Sequence, residues 1–307
     1  MNKYIRVIKN FCADKTSRFS YLTKLGVFNG LSDEQYLKLK YKNVFGRNLD
    51  LENPKTFNEK LQWLKLYNRK PEYTVMVDKY KVREYIAQMI GEEYLIPLLG
   101  VWDDPDEIDF DALPDQFVLK CNHNSGTGMC ICKDKSKLDI EKVKKELRKG
   151  LKEDYYLKFR EWPYKDVPRK IIAEKYMEDA SGDLKDYKFY CFNGVMKFVM
   201  INSDRNTDKP TRADYFDRDF NWLDFTWGYQ HADVRPSKPD KFDEMITIAE
   251  KLSEGLPHVR VDLYECNGQI YFGELTFFDG SGFDKIEPLE WDYKLGQMIT
   301  LPLIENT

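Results

Sequence analysis

Arg260, Asp262 and Glu274 are the residues of this chain whose types and spacing point most directly to chemistry. They lie in residues 259–282, VRVDLYECNGQIYFGELTFFDGSG, which read as two short strands joined around Asn267-Gly268, a strong hairpin signal. Val259, Val261 and Leu263 alternate with Arg260, Asp262 and Tyr264; on the return strand Gly273, Leu275 and Phe277 alternate with Phe272, Glu274 and Thr276. The apolar set must face the core, which pairs Val261 with Leu275 and Asp262 with Glu274. A two-residue turn alone does not produce that register, so one extra loop residue or a bulge is expected. Carboxylates directly opposed on a strand pair repel, and a cation between them removes the conflict. Two hard oxygen ligands with Arg260 alongside suit Mg²⁺ that also holds a nucleotide phosphate.

Four further segments carry weaker signals. FVLKCNHNSGTGMCIC (117–132) is strand, polar loop with Gly126 and Gly128, then strand. Its glycines let backbone N–H groups approach an anion, and Lys120 on the entering strand reaches a phosphate as a point charge. An ordinary hairpin with a loose turn reads equally well, and no Walker sequence follows. In IIAEKYM (171–177) an apolar strand turns polar at Glu174 and Lys175. Its backbone could pair with a purine edge, or it simply leaves the core for a loop. Asp186 and Lys188 share one face of a strand, by default a solvated one. Asp217-Arg-Asp219 offers an acidic pair for a metal on a sugar nucleotide, a short pattern that chance often supplies. Cys121, His123, Cys130 and Cys132 lack the spacing of a zinc site and read as reduced core thiols.

The elements that must position these groups are legible in outline. The chain has 307 residues, 33% charged and 15% aromatic, with a net charge of -4, so it carries a sizeable core and no global basicity pointing to nucleic acid. No apolar run is long enough to span a bilayer, and the first eleven residues contain no apolar leader core. Six cysteines without scaffold spacing read as reduced thiols in a cytoplasm. Residues 1–50 read as helical, and the basic amphipathic stretch 1–25 packs on its own domain or touches a membrane surface. Ser32 with Gln35, and Thr56 with Glu59, form capping boxes for helices, the first ending at Gly46. One helix is expected over 78–90 with Asp78 as its cap, a basic helix over 139–152, and a helix over 240–252. A second hairpin turns at Asn193-Gly194, and residues 203–239 show no period. Hairpins mixed with helices indicate an α+β fold with antiparallel sheets, not a doubly wound parallel sheet.

Taken in order, these pieces resemble the ATP-grasp superfamily, and most closely its TupA-like members from surface-polysaccharide and teichuronopeptide gene clusters. The resemblance is carried by NPKTFNEKLQWLKLYNR (53–69), DKYKVREYI (78–86), FVLKCNHNSGTG (117–128), IIAEKYM (171–177), DYKFYCFNG (186–194) and VRVDLY…YFGELTFFDGSG (259–282). It implies a helical region over 1–77, an N-terminal ATP-grasp subdomain with a glycine-loop lid over 78–176, and a metal-binding subdomain over 177–307. ATP and Mg²⁺ are the implied cofactors. Lys79 and Lys120 would hold the α- and β-phosphates, and Ser125, Gly126, Thr127 and Gly128 would close over the triphosphate. Glu174, Lys175, Tyr176 and Met177 would line the adenine, with Lys188 near the nucleotide. Asp262 and Glu274 would bind Mg²⁺, and Arg260 would stabilise the transferring phosphoryl group, with Lys120 and Lys188 assisting. Thr276 stands where the superfamily has a third metal ligand, an Asn. The implied activity is amide formation through an acyl phosphate, joining an amino acid or amino sugar to a uronic-acid-type acceptor in polysaccharide biosynthesis. The alternatives are a sugar-nucleotide glycosyltransferase and a sugar kinase. The implied partners are a small-molecule or glycan acceptor, an amine donor and other polysaccharide-pathway enzymes, at a cytoplasmic location that includes the inner face of the membrane.

Overall fold

The computed structural model describes residues 15–178, 184–204 and 209–303. The part of the basic N-terminal stretch before residue 15 lies outside the described residues; α1 (Lys15–Lys24) follows it. Helix α2 (Asp33–Phe45) starts from the Ser32–Gln35 capping box and stops at Gly46, whose φ of 72° is the left-handed conformation glycine adopts freely. Helix α3 (Phe57–Tyr67) starts from the Thr56–Glu59 box. Both starts match the expectation, because a capping box is read within four residues and needs no tertiary contact.

The expected helix over 78–90 is present as α5 (Val82–Met89), which starts four residues late, and a short helix α4 (Glu72–Val77) that the sequence reading did not include precedes it. Asp78 closes α4 and caps the turn that leads into α5: its carboxylate accepts from Tyr80 N at 2.9 Å, Lys81 N at 3.3 Å and Asn122 Nδ2 at 2.8 Å, and its carbonyl accepts from Val82 N at 2.9 Å. The backbone N–H of Lys79 donates to Asn122 O. These bonds tie the turn at residues 78–81 to a distant loop.

The smaller sheet comprises β1 (Leu98–Trp102), β2 (Phe117–Cys121), β3 (Met129–Cys132) and β4 (Ile171–Lys175), antiparallel in the order β1-β4-β2-β3. Phe117, Leu119, Cys132, Ile171 and Ala173 point to one face and pack with Val143 and Leu147 of α6 (Ile140–Leu151). A short helix α7 (Tyr155–Phe159) follows.

The larger sheet contains β5 (Lys185–Phe192), β6 (Val195–Ser203), β7 (Arg212–Asp217), β8 (Trp222–Leu223), β10 (His258–Cys266) and β11 (Gln269–Thr276), in the order β11-β10-β5-β6-β7-β8 and antiparallel throughout. A minor pair joins β9 (Thr226–Trp227) to β12 (Ile286–Glu287). Val261, Phe189, Val199 and Phe216 lie side by side on one face and are covered by α8 (Phe242–Leu252) through Phe242, Met245 and Ala249. Each such fully buried side chain contributes about 2 kcal/mol of apolar transfer free energy, which is what holds the register. Strand β7 begins in a region where the sequence shows no period. Helix α9 (Leu289–Met298) packs on α3.

Candidate functional site

The β10–β11 hairpin has the expected register: Val261 opposes Leu275, and Asp262 opposes Glu274. Asn267 and Gly268, with φ of 52° and 77°, make the two-residue turn, and the ladder shifts between Asp262 and Leu263. The extra residue is Gly273, where a Cβ would come within 3.0 Å of Asp262 O. One expectation is corrected here. The bulge turns Phe272 inward beside Leu263, so Phe272 is a core residue and does not share the outer face with Glu274.

Directly opposed residues of neighbouring antiparallel strands share a face. Glu274, Asp262, Lys188 and Met200 therefore form one row across the sheet, and Thr276, Arg260, Tyr190 and Phe198 form the next. Arg260 Nε donates to Asp262 Oδ1 at 2.6 Å, and Nη2 donates to Asp262 Oδ2 at 2.7 Å and Glu274 Oε1 at 2.9 Å. Its Nη1 donates to Asp279, which also accepts from the Tyr190 hydroxyl. Lys188 Nζ donates to Asp262 Oδ2 at 2.9 Å and to Asp186. Thr276 Oγ1 donates to Glu274 Oε1 at 3.2 Å. The cation between the facing carboxylates is thus the Arg260 guanidinium.

Burial alone would push the Asp262 carboxyl up, but Arg260 and Lys188 outweigh it and hold the group below the usual carboxylate range. Burial likewise opposes the charge on Lys188, and Asp262 and Asp186 overcome it. The reading of Asp186 and Lys188 as a solvated face is therefore corrected: both are buried, because β5 is an interior strand flanked by β10 and β6.

On the smaller sheet, the face away from α6 carries Val118, Lys120, Met129, Ile131, Ile172 and Glu174. Lys120 Nζ lies 2.6 Å from Glu174 Oε2, and Arg83 Nη1 lies 3.5 Å from Glu174 Oε1. Met129 and Ile131 are each 51% exposed beside this pair. At the foot of the glycine loop, Asn122 donates to Asp78 and Pro168 and accepts from Lys170 N, while Asn124 donates to Gly150 O. Lys79 Nζ donates to Asn124 O at 2.6 Å. Burial lowers the Lys79 pKa, with Lys120 adding to that effect and Glu274 and Glu174 opposing it. Lys79 thus lies within electrostatic range of Lys120, Glu174 and Glu274, so four segments converge on one region.

Ser125 and Gly126 are exposed at the loop tip, Thr127 is half-buried, and Gly126 has φ of 79° with open space around it. Gly128 is a packing residue: a Cβ there would meet Cys121 Sγ at 2.6 Å and Gly150 Cα at 2.8 Å. Beyond Glu174 the chain diverges from the ion pair. Lys175 is exposed, and with Tyr176 it lines a groove of about 880 Å³ that also takes in Leu99, Gln116 and Lys133; Met177 follows, half-buried.

Several members of the site were not read from the sequence as such: Asp279, Tyr190 and Arg83. Asp279 follows Glu274 by five residues inside the DGSG segment, so proximity to the hairpin was its available signal. Asp217, offered as a metal ligand, is a turn residue: its carboxylate accepts from Asp219 N at 3.0 Å, Asn221 N at 2.8 Å and Asn221 Nδ2 at 3.1 Å. Cys121, Cys130, Cys132, Cys191 and Cys266 are free thiols.

Among the described residues, no three His, Cys, Asp or Glu side chains form a complete metal site. The donor set fits Mg²⁺ delivered with a nucleotide: two carboxylates converge on one cation, and phosphate oxygens and water supply the remaining positions. No described helix is long and apolar enough to cross a membrane.

No curated protein matches this sequence significantly. Among solved structures, D-alanine-D-alanine ligase from Helicobacter pylori aligns with 13% identity and a TM-score of 0.43, over 80% of this chain and 70% of that one. D-alanine–D-alanine ligase from Bacillus anthracis, complexed with ATP, aligns with 16% identity and a TM-score of 0.43, over 73% of this chain and 63% of that one. D-cycloserine synthetase DcsG aligns with 16% identity and a TM-score of 0.41, over 74% and 70%. The family described as TupA-like ATPgrasp matches over residues 59–300, which include both sheets and every site residue named above. The chain belongs to the TupA-like ATP-grasp family.

Proposed function

We propose that this protein is an ATP- and Mg²⁺-dependent carboxylate–amine ligase that works through an acyl phosphate. The observation that carries the reading is the row Glu274–Asp262–Lys188 with Arg260 beside it, converging with Lys79 and Lys120. A carboxylate is a poor electrophile. Its oxygen attacks the γ-phosphorus of ATP, the bond to the bridging oxygen breaks, and ADP leaves. The amine then attacks the acyl carbon, phosphate departs with the C–O bond electrons, and the amine loses a proton.

Each residue has a distinct part in this scheme. Lys79 and Lys120 bind phosphate oxygens as point charges. Arg260 turns from the acids toward the transferring phosphoryl group and neutralises its equatorial oxygens. Asp262 and Glu274, with Thr276 alongside, would hold Mg²⁺, which would supply charge neutralisation at the phosphates. Met129 and Ile131 offer an apolar surface for the base, with residues 174–177 at its edge. The 125–128 loop closes over the phosphates and keeps water from the acyl phosphate.

We further propose that the acceptor is a uronic-acid-type group and the donor an amino acid or amino sugar, in surface-polysaccharide assembly in the cytoplasm. Residues 1–25 would supply any contact with the membrane face. Thermal shift decides the first step: stabilisation by ATP with Mg²⁺ supports the ligase, whereas stabilisation by a UDP- or GDP-sugar alone defeats it. With acceptor and amine supplied, ligation releases inorganic phosphate; phosphate retained on the product identifies a kinase.

A further inference from the structure

Helix α3 lies in the segment NPKTFNEKLQWLKLYNR, and none of its side chains enters the site above. One stripe of its buried surface is polar. Asn58, Gln62 and Lys65 are each 0% exposed, and their i, i+4, i+7 spacing aligns them along the helix. All three donate to backbone carbonyls of one turn. Asn58 Nδ2 reaches Asp284 O at 3.1 Å, and Gln62 Nε2 reaches Ser281 O at 3.0 Å and Gly282 O at 2.8 Å. Lys65 Nζ reaches Ser281 O at 2.7 Å, Phe159 O at 3.1 Å and Gln62 Oε1 at 3.2 Å. Buried polar groups are costly unless matched, and an apolar stripe would dock a helix equally well, so the stripe serves the turn it holds.

That turn needs holding. Gly280, Ser281 and Gly282 have φ of 53°, 53° and 62°, and Ser281 carries a side chain in a conformation that favours glycine. Such a run persists only where its surroundings over-determine it. Gly282 sits so close to α3 that a Cβ would meet Gln62 Nε2 at 2.4 Å. Ser281 Oγ donates to the buried Glu161, whose charge faces that of Lys65. Burial pushes the Lys65 amine down to about 7 and the Glu161 carboxyl up, and each charge opposes the other's shift. The residue entering this turn is Asp279, which holds Arg260 Nη1 and the Tyr190 hydroxyl.

We infer that Lys65 and Gln62, with Glu161, are positioning residues that hold the 280–282 turn so that Asp279 fixes the Arg260 guanidinium at the facing acids. What Arg260 then does rests on the ligase reading; the positioning itself does not. Contacts run without a break from α3 to the turn, from Asp279 to Arg260, and from Arg260 to Asp262 and Glu274.

The test is the double variant Lys65→Met/Glu161→Gln, which removes both buried charges together, with Gln62→Met as a milder second variant. Hydrogen exchange, measured without nucleotide, reads the amides of residues 279–284 and the Arg260 Nε–H. In the double variant both should exchange about ten times faster, and in Gln62→Met about three times, while the amides of β5 and β10 stay protected. Calorimetry then reads MgATP binding. The double variant should weaken it about tenfold in the native background and under about twofold in an Asp279→Asn background, because the effect passes through Asp279. Unchanged exchange at the turn or at Arg260, or equal loss of affinity in both backgrounds, overturns the inference. Faster exchange in a protein whose wild type ignores MgATP leaves the positioning intact and removes the ligase reading instead.

Discussion

On the smaller sheet the face away from α6 exposes Met129 and Ile131, with Val118 half-buried, beside Glu174 and its partners Lys120 and Arg83. On the larger sheet the facing surface is a charge row, Glu274–Asp262–Lys188 over Arg260, in which every cation has acidic partners. The first surface leaves apolar groups in water and gains by covering them with something flat. The second has already satisfied its charges, so a ligand binds there by exchange, displacing Arg260 or Lys188 from the acids it needs. On the proposed ligase reading, one sheet supplies affinity through burial, and the other supplies chemistry through charges held ready in low dielectric.

Changes that break this contrast should differ in kind. The largest effect is expected at the acids. Glu274→Gln should lower MgATP-dependent turnover by about three orders of magnitude. The Glu274 side chain is 37% exposed, so the melting temperature should barely move. Asp262→Asn should lose turnover equally and also lose about 3–5 kcal/mol of stability, because it leaves Lys188 and Arg260 under-compensated in the interior. Denaturant unfolding of both variants checks the difference, and equal stability would show that the row is less self-contained than the contacts indicate.

His258 lies two residues before Arg260 on the same strand face, ringed by Phe57, Tyr190 and Phe192, with Nδ1 at 3.0 Å from Cys191 O. Burial lowers its pKa to about 4 from the ordinary 6.5. The unfolded chain therefore takes up a proton that the folded protein refuses. The stability this group contributes is complete above about pH 6.5 and is lost as pH falls through about 4, a change of about 3 kcal/mol. His258→Leu should flatten that limb of the stability–pH curve, and an unchanged limb would remove His258 from the account.

Smaller effects belong to the smaller sheet. Lys120→Ala should weaken MgATP binding about thirtyfold, leaving Glu174 to Arg83; calorimetry reads it, and a loss confined to acceptor affinity would mean the strand serves the other substrate. Met129→Ser with Ile131→Ser should cost only about three- to tenfold in nucleotide affinity, with no loss of stability because both side chains are half in water already. A larger loss of MgATP turnover than of affinity would move chemistry onto this sheet and dissolve the contrast.

The parts legible in the sequence are those set by neighbours along the chain. The two capping boxes, the Asn193-Gly194 and Asn267-Gly268 hairpins, and the pairing of Asp262 with Glu274 follow from short patterns and from a period of two. The turn at 78–81 that sets back the start of α5 was hidden, because the Asp78–Asn122 contact within it spans 44 positions. The burial of Asp186 and Lys188 was hidden for a similar reason: alternation says that two residues share a face, but not which strands flank theirs. Asp217 misled because an acidic pair in a tight turn and one on a metal have the same spelling.

By itself, the order of residues determined which side chains stand opposite one another in the acid hairpin, since strand period and the burial of Val261 and Leu275 admit only that register. Tertiary structure alone decided what those side chains meet. Arg260 is claimed by Asp279 from the turn beyond the hairpin, Lys188 by Asp262 from the neighbouring strand, and Ser281 by a helix more than two hundred residues upstream. Charge pairing in a core depends on distance in space and on the water excluded from between the partners, and neither quantity is written in the spacing of a chain.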